Sequence, residues 1–379
     1  MNERRVIEFV IRYVWNIVRV FVRGSLTPRC STCGISGKAA PLGGEGRCEA
    51  CLHPERNAKE ADRKLSQAEE DALQTELRDT FASAAGRGAW KYDALVFFSG
   101  GKDSTYLLDR IRREHPLLRI LAVSVDNSFM SPVGLANIDE TARKIDVDHV
   151  VVRPDKQLYE KLFRYAFTHP RDGGAAVAID VLDGELRFDI GRHMAARFGI
   201  PLMVIGFSRS QVATYGGAVT CIGSRAFEES KRSTLGPYTL DELPLSGDER
   251  GLLWDGTAYP KDAIATIVYP LAAWNVPEET IKKEVVERGL IPAGRESPLA
   301  TNHLLIPLMA LVDMATLGYS SWETEFARMI REGKADLRYW RNLFELLEYA
   351  AKTGRLLGRT RDALLKRLSL TPEDVGLAR

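Results

Sequence analysis

The stretch Ala94-Leu95-Val96-Phe97-Phe98-Ser99-Gly100-Gly101-Lys102-Asp103-Ser104-Thr105 decides how this chain is read. Five apolar residues in a row, too few for a helix, predict a short strand buried on both faces. Two glycines then permit a tight turn and a close backbone approach. Behind them Ser104–Glu114 carries helical spacing. Strand, glycine turn and helix in that order offer unpaired N–H groups and a positive dipole end to an anion, which is the pattern of a phosphate cradle. Ser99, Ser104 and Thr105 add hydroxyls, and Lys102 adds a point charge. Asp103 adds a carboxylate able to hold Mg²⁺ or to cap the helix. The bland alternative is an ordinary glycine turn with an Asp or Ser cap. The Gly-x4-Gly-Lys-Ser/Thr spacing of a Walker loop is absent.

Further apolar runs lie at Leu118–Val125, His149–Val152, Pro201–Ile205 and Thr266–Tyr269. Helical stretches separate the early ones at Val133–Lys144, Gln157–Thr168 and Gly184–Phe198. This alternation predicts an α/β fold, a parallel doubly wound sheet with helices on both faces. Such sheets bind ligands beyond the carboxyl ends of their strands. Asp126-Asn127 and the segment Gly206-Phe207-Ser208-Arg209-Ser210-Gln211 are therefore expected to share a crevice with the glycine loop. Asp126 has a plain alternative as a strand-end cap. Five regions are expected: an amphipathic helix over 1–28, a cysteine ribbon over 29–56, a helical linker over 57–88, the phosphate-loop domain over 89–262 with an irregular part from 211, and a mainly helical region over 263–379. Within the last, Asn302 and His303 either face the crevice or serve as a cap and a core histidine.

Ser99–Ser104 resembles the SGGxDS signature of the N-type ATP pyrophosphatases, the PP-loop superfamily. The resemblance implies that ATP and Mg²⁺ bind with the β and γ phosphates on the loop, through Ser99, Gly100, Gly101, Lys102, Asp103, Ser104 and Thr105. Asp126, Gly206 and Ser208 would lie beside the nucleotide, although no His or acidic residue follows Gly206 as the superfamily's pattern has it. It further implies that a substrate carbonyl or amide oxygen attacks the α-phosphate and that pyrophosphate leaves, with Lys102 and Asp103 as the catalytic groups. A nitrogen or sulfur nucleophile then displaces AMP.

Cys30-x2-Cys33 and Cys48-x2-Cys51, fourteen residues apart and rich in glycine between, predict a four-thiolate metal site. Structural Zn²⁺ is expected there, with an iron–sulfur cluster as the competitor. In PP-loop enzymes of the tRNA 2-thiocytidine type, one CxxC pair precedes the strand that ends at the nucleotide-side glycine. The matching positions here are Asp180 and Asp183, so the spacing is kept and the sulfurs are gone. These two, with Arg209, are candidate substrate-binding residues, against the alternative of a solvated acidic pair. Cys221 is the one remaining thiol and reads more simply as a small core residue.

The layout of cysteine knuckle, helix and PP-loop domain is similar to that of bacterial N-acetyl sugar amidotransferases of surface-polysaccharide biosynthesis. Cys30–Cys51, Phe98–Leu108, Val123–Asn127 and Asp148–Asp155 carry that likeness, which covers residues 29–210. It implies nitrogen transfer to a sugar N-acetyl group, with ammonia from a glutaminase partner, since this chain has no glutaminase signature. Two other readings stay open: a sulfurtransferase that thiolates tRNA or a metabolite, and a non-catalytic nucleotide-binding subunit.

The chain has 379 residues, 45% hydrophobic and 27% charged, with a net charge of +1. That balance gives no general polyanion binder. A tRNA substrate would need local patches such as Arg225/Lys231/Arg232 or Lys334/Arg338/Arg341. No cleavable signal is evident, so a cytoplasmic protein is expected. Over residues 1–24 a polar stripe of Arg5, Glu8, Arg12, Asn16, Arg19 and Arg23 interrupts an otherwise apolar helix. Arg12 and Arg19 argue against a membrane span. The helix is expected to pack on its own chain or a second subunit, or to lie on a membrane surface.

Overall fold

A computed structural model describes residues 3–54, 65–295 and 303–377. The chain divides into two compact units, one of residues 1–57, 160–182 and 305–379, the other of 58–159 and 183–304. The boundary expected at 262/263 thus falls inside the second unit.

The second unit holds a five-stranded, all-parallel sheet of order β3-β2-β1-β4-β5. The strands are β1 Ala94–Phe97, β2 Ile120–Val125, β3 Asp148–Val152, β4 Leu202–Val204 and β5 Thr266–Val268. Ala94, Leu95 and Val96 are wholly buried, which is why the β1 run shows no polar alternation. Its side chains alternate between two cores. Ala94, Val96 and Phe98 join Leu107, Ile111, Ile138 and Ile281 on one face. Leu95 joins Leu121, Met203, Ile267 and Ala195 on the other. Helices on both faces make this the doubly wound sheet expected.

The helices used below are α1 Glu3–Phe9, α2 Trp15–Val22, α3 Gln67–Ala84, α4 Lys102–Glu114, α5 Pro132–Ile145, α6 Lys156–Thr168, α7 Gly174–Phe198, α8 Arg209–Gly216, α9 Pro270–Trp274, α10 Glu278–Glu287, α11 Ile306–Thr316, α12 Glu323–Arg331, α13 Leu337–Thr353 and α14 Gly358–Arg367. The expected helix over 57–85 is described from Gln67, and its earlier part lies outside the described residues. Ser66 and Glu69 close a capping box at its start. Helix α7 begins ten residues before the expected Gly184. Gly174 takes φ +84° and the buried Asp313 accepts from the amide of Ala176, so the helix is capped where a break was expected. Asp180 and Asp183 therefore sit mid-helix. Residues 211–262 are largely irregular, with short helices.

In the first unit, α13 receives the N-terminal segment. Ile11 and Trp15 are buried with Leu346. The indole of Trp15 and the guanidinium of Arg19 both donate to Glu345, and Tyr339 donates to Glu8. The polar stripe is thus turned partly inward, onto α13. A π-turn at Val10–Val14 separates α1 from α2, and Asn342 donates to the Ile11 carbonyl inside it. An inserted side chain of this kind is a standard cause of such a bulge.

Candidate nucleotide crevice and metal centre

In the order β3-β2-β1-β4-β5 the chain leaves β1 in one direction for β2 and enters β4 on the other side. The switch point is therefore at the carboxyl ends of β1 and β4. The glycine loop starts there. Gly100 has φ +71°, and a Cβ on it would lie 2.4 Å from the Gly134 carbonyl and 2.8 Å from Ile138, so no other residue fits. Gly101 has ordinary dihedrals, and its Cβ would meet only the Ser99 hydroxyl at 3.4 Å. The side-chain amide of Asn137 donates to the Gly100 carbonyl at 3.1 Å and fixes the turn.

Ser66, Ser131 and Ser208 cap their helices, but no side chain caps α4. Its first amides are left for an anion. The hydroxyls of Ser99 and Ser104 lie 3.1 Å apart, and Ser104 Oγ also accepts from the Ser99 amide. Lys102 is buried, with Nζ donating to Asp103 at 2.7 Å and paired with Glu278 of α10 at 3.5 Å. Burial opposes ionisation of Glu278, but Lys102 and Lys282 outweigh it and hold its carboxyl below the usual range. Thr105, expected to serve the nucleotide, is fully enclosed and its hydroxyl has no hydrogen-bond partner.

Past β2, Asp126 is nearly buried. It accepts from the Ser128 amide at 2.9 Å and from Arg153 at 2.8 Å. The cap reading of Asp126 therefore holds locally, together with an ion pair. Asn127 is fixed from every side: its oxygen accepts from the Phe129 amide, and its nitrogen donates to Asp183 at 2.9 Å and meets His303 Nε2 at 2.8 Å. Because the Asn127 nitrogen can only donate, His303 Nε2 is the acceptor and carries no proton in this contact. Asp183 is further bound by Arg187. Of the acidic pair on α7, Asp183 joins this cluster, whereas Asp180 is exposed. Asn302 lies outside the described residues.

Past β4, Ser208 spends its hydroxyl and amide on a capping box with Gln211 at the start of α8, and Gly206 precedes it. Arg209, expected at the substrate, closes its fork on Glu70 at 2.5 and 2.6 Å and donates Nε to the Ala272 carbonyl. Its place here is a clamp between α3, α8 and α9. Cys221 is buried and donates to the Leu73 carbonyl and Glu76. Burial, with Glu76 alongside, pushes its thiol up to about 12. Asn137, Glu278 and Arg153 were not singled out from sequence. Their residue types are ordinary for helices and strand ends, and only the fold brings Asn137 and Glu278 to the loop and Arg153 to Asp126.

The four remaining cysteines, Cys30, Cys33, Cys48 and Cys51, bring their sulfurs within 4.8 Å of one another, and none forms a disulfide. Cys33 and Cys48 Sγ are 3.7 Å apart, and the Cys48 amide donates to Cys30 Sγ. The knuckle is tied to α12 by a buried ion pair: Arg29 donates to both oxygens of Glu323, which also accepts from the Ser36 amide.

An uncapped helix N-terminus, a glycine turn that only glycine can make and an enclosed lysine form a cradle suited to a phosphate group, and the other unit carries four cysteines placed to hold a metal ion. No family model and no curated protein matches the chain. Among solved structures it is loosely similar to the U34-tRNA thiolase NcsA from Methanococcus maripaludis with its [4Fe-4S] cluster, at 12% identity and TM-score 0.37 over 93% of this chain and 99% of that one. The NMN synthetase from Francisella tularensis gives 11% and 0.36 over 79% and 97%. The NH3-dependent NAD synthetase from Campylobacter jejuni gives 11% and 0.33 over 74% and 95%.

Proposed function

We propose that this chain is an ATP pyrophosphatase of the PP-loop kind, which adenylates a carbonyl or amide oxygen and then transfers nitrogen to the activated carbon. The observation that carries this reading is Gly100, whose left-handed turn is enforced by Gly134 and Ile138 and held by Asn137 directly before an uncapped helix. A turn so constrained aims backbone amides at one point, as stabilisation of a departing pyrophosphate requires. Lys102 would neutralise the leaving group. Asp103 and Glu278, its present partners, would face the Mg²⁺ that arrives with ATP.

The chemistry balances in two steps. The substrate oxygen forms a bond to the α-phosphorus and the α–β phosphoanhydride breaks. Ammonia then attacks the adenylated carbon, the carbon–oxygen bond breaks and AMP leaves with that oxygen. The proton shed by the attacking nitrogen needs an acceptor. The Asn127–Asp183–His303 cluster beyond β2 supplies two candidate groups. Nitrogen is favoured over sulfur because all five thiols are accounted for: four converge, and Cys221 is buried and held in its neutral form. Ammonia would come from free ammonium or a glutaminase partner, and an N-acetyl sugar is the acceptor class first in line.

The four-cysteine centre fits a single Zn²⁺. Tetrahedral Zn–S bonds of about 2.3 Å set sulfurs about 3.8 Å apart, which matches the Cys33–Cys48 separation of 3.7 Å. A cluster interposes several iron and sulfide atoms and spreads its thiolates farther. Zn²⁺ would hold the knuckle together and take no part in the reaction.

The test is mass spectrometry of N-acetyl sugars incubated with the protein, ATP and ¹⁵N-ammonium. A product carrying ¹⁵N, formed equally by Cys221→Ala, supports nitrogen transfer. A sulfur-bearing product that is lost in Cys221→Ala would overturn it.

A further inference from the structure

With α1 and α2 fixed on α13, their opposite side is apolar and bare. Phe9, Tyr13, Ile17, Val20 and Phe21 are between 57% and 84% exposed. Four of them recur every fourth residue. On an ideal α-helix that spacing drifts about 40° per step, so the first and last would stand well apart around the axis. The π-turn at Val10–Val14 has more residues per turn and offsets the drift. Across it the Phe9 and Tyr13 rings lie 5.3 Å apart on the exposed side.

We infer that this stripe is the interface with a second copy of the chain, packed antiparallel about a two-fold axis between Tyr13 and Ile17. The stripe has the symmetry such an isologous contact needs. The axis sets Phe9 against the partner's Phe21 and Tyr13 against the partner's Ile17. The area is of the right size. Five large side chains exposed to this degree present on the order of 600 Å², near the ~800 Å² per partner of a stable complex and at the top of the range for patches left bare on monomers.

A lipid surface fits less well. An interfacial helix borders its apolar face with free cations. Here Arg12 is paired with Glu8, and Arg19 is spent on Glu345.

The test is sedimentation velocity of the zinc-loaded full chain. At about 10 µM it should sediment at twice its 42.2 kDa mass. Ile17→Asp and Phe21→Asp should weaken association at least tenfold with unchanged circular dichroism and zinc content. Should those variants misfold, cysteines at exposed positions give a second readout. Phe9→Cys combined with Phe21→Cys should yield a disulfide-linked pair on mild oxidation, and Phe9→Cys alone should not. Single-chain mass up to 100 µM overturns the inference. So does crosslinking by Phe9→Cys alone, or flotation of single chains with anionic phospholipid vesicles that Phe21→Asp abolishes.

Discussion

Asn137 of α5 donates its side-chain amide to the main-chain carbonyl of Gly100 at 3.1 Å, so a helix two elements away sets the loop's shape. The two loop glycines are not equivalent. Gly100→Ala must relieve a 2.4 Å contact with a backbone carbonyl and adopt a left-handed φ, whereas Gly101→Ala meets only a serine hydroxyl at 3.4 Å. Gly100→Ala is expected to abolish ATP binding in titration calorimetry. Gly101→Ala should stay within about tenfold of wild type, and Asn137→Ala should weaken binding by about 1–2 kcal/mol. Equal losses at both glycines would contradict this account of the loop.

Asp183 and His303 meet through Asn127, away from the phosphate loop in sequence and on separate elements. A role at the acceptor end predicts a split between binding and turnover. Asp183→Asn should lower kcat for the second substrate by about 10²-fold, as loss of a proton-accepting group does, while the KM for ATP changes less than threefold. A rise in the ATP KM with kcat intact would place the cluster at the nucleotide instead.

The four-cysteine centre should contain one zinc per chain by elemental analysis, with no iron absorbance. Stripping it with a chelator should melt the knuckle cooperatively, because its compact loops rest on four metal bonds. Glu323→Ala removes the nearer of two carboxylates on the enclosed Arg29 guanidinium, with Glu348 left 3.7 Å away, and should cost about 1.5–3 kcal/mol in denaturant unfolding.

Asp93 at the foot of β1 is wholly enclosed. Burial works against its ionisation, but the Arg119 guanidinium and the amides of Gly88 and Arg119 outweigh it, so its carboxyl titrates well below the usual range. A folded-state pKa below the unfolded value makes the carboxylate's contribution complete above about pH 4 and progressively lost as pH falls beneath it. Thermal melts between pH 6 and pH 3 should show this acid-side loss, and Asp93→Asn should flatten it. An unchanged slope in that variant would assign the acid sensitivity to other carboxylates.

The sheet was legible in sequence because β1, β2 and β4, buried on both faces, appear as bare apolar runs, and the edge strands also lie at apolar runs although β3 leaves Val150 and Val151 exposed. The glycine turn before α4 and the clustering of the cysteine knuckles were legible for a similar reason, since each is a contiguous motif. What sequence left dark depends on contacts between distant segments. Glu278 reaches Lys102 across 176 positions, and Arg209 reads as a free cation beside a nucleotide until Glu70 is seen to close on it. Thr105 carries the right hydroxyl, yet the turn of α4 points it inward. The N-terminal helix packs on its own chain, one of the expected outcomes, and carries part of its polar stripe inward with it because Glu345 and Tyr339 on α13 are there to receive it.

The most direct measurement follows ATP cleavage by ³¹P NMR, with zinc-loaded protein, Mg²⁺, ammonium and a panel of N-acetyl sugars. Cleavage between the α and β phosphorus atoms is predicted, giving AMP and pyrophosphate in equal amounts and falling at least 10²-fold in Lys102→Ala. Release of ADP and orthophosphate, or turnover that survives the loss of Lys102, would contradict the claim that the Ser99–Ser104 loop grips a departing pyrophosphate.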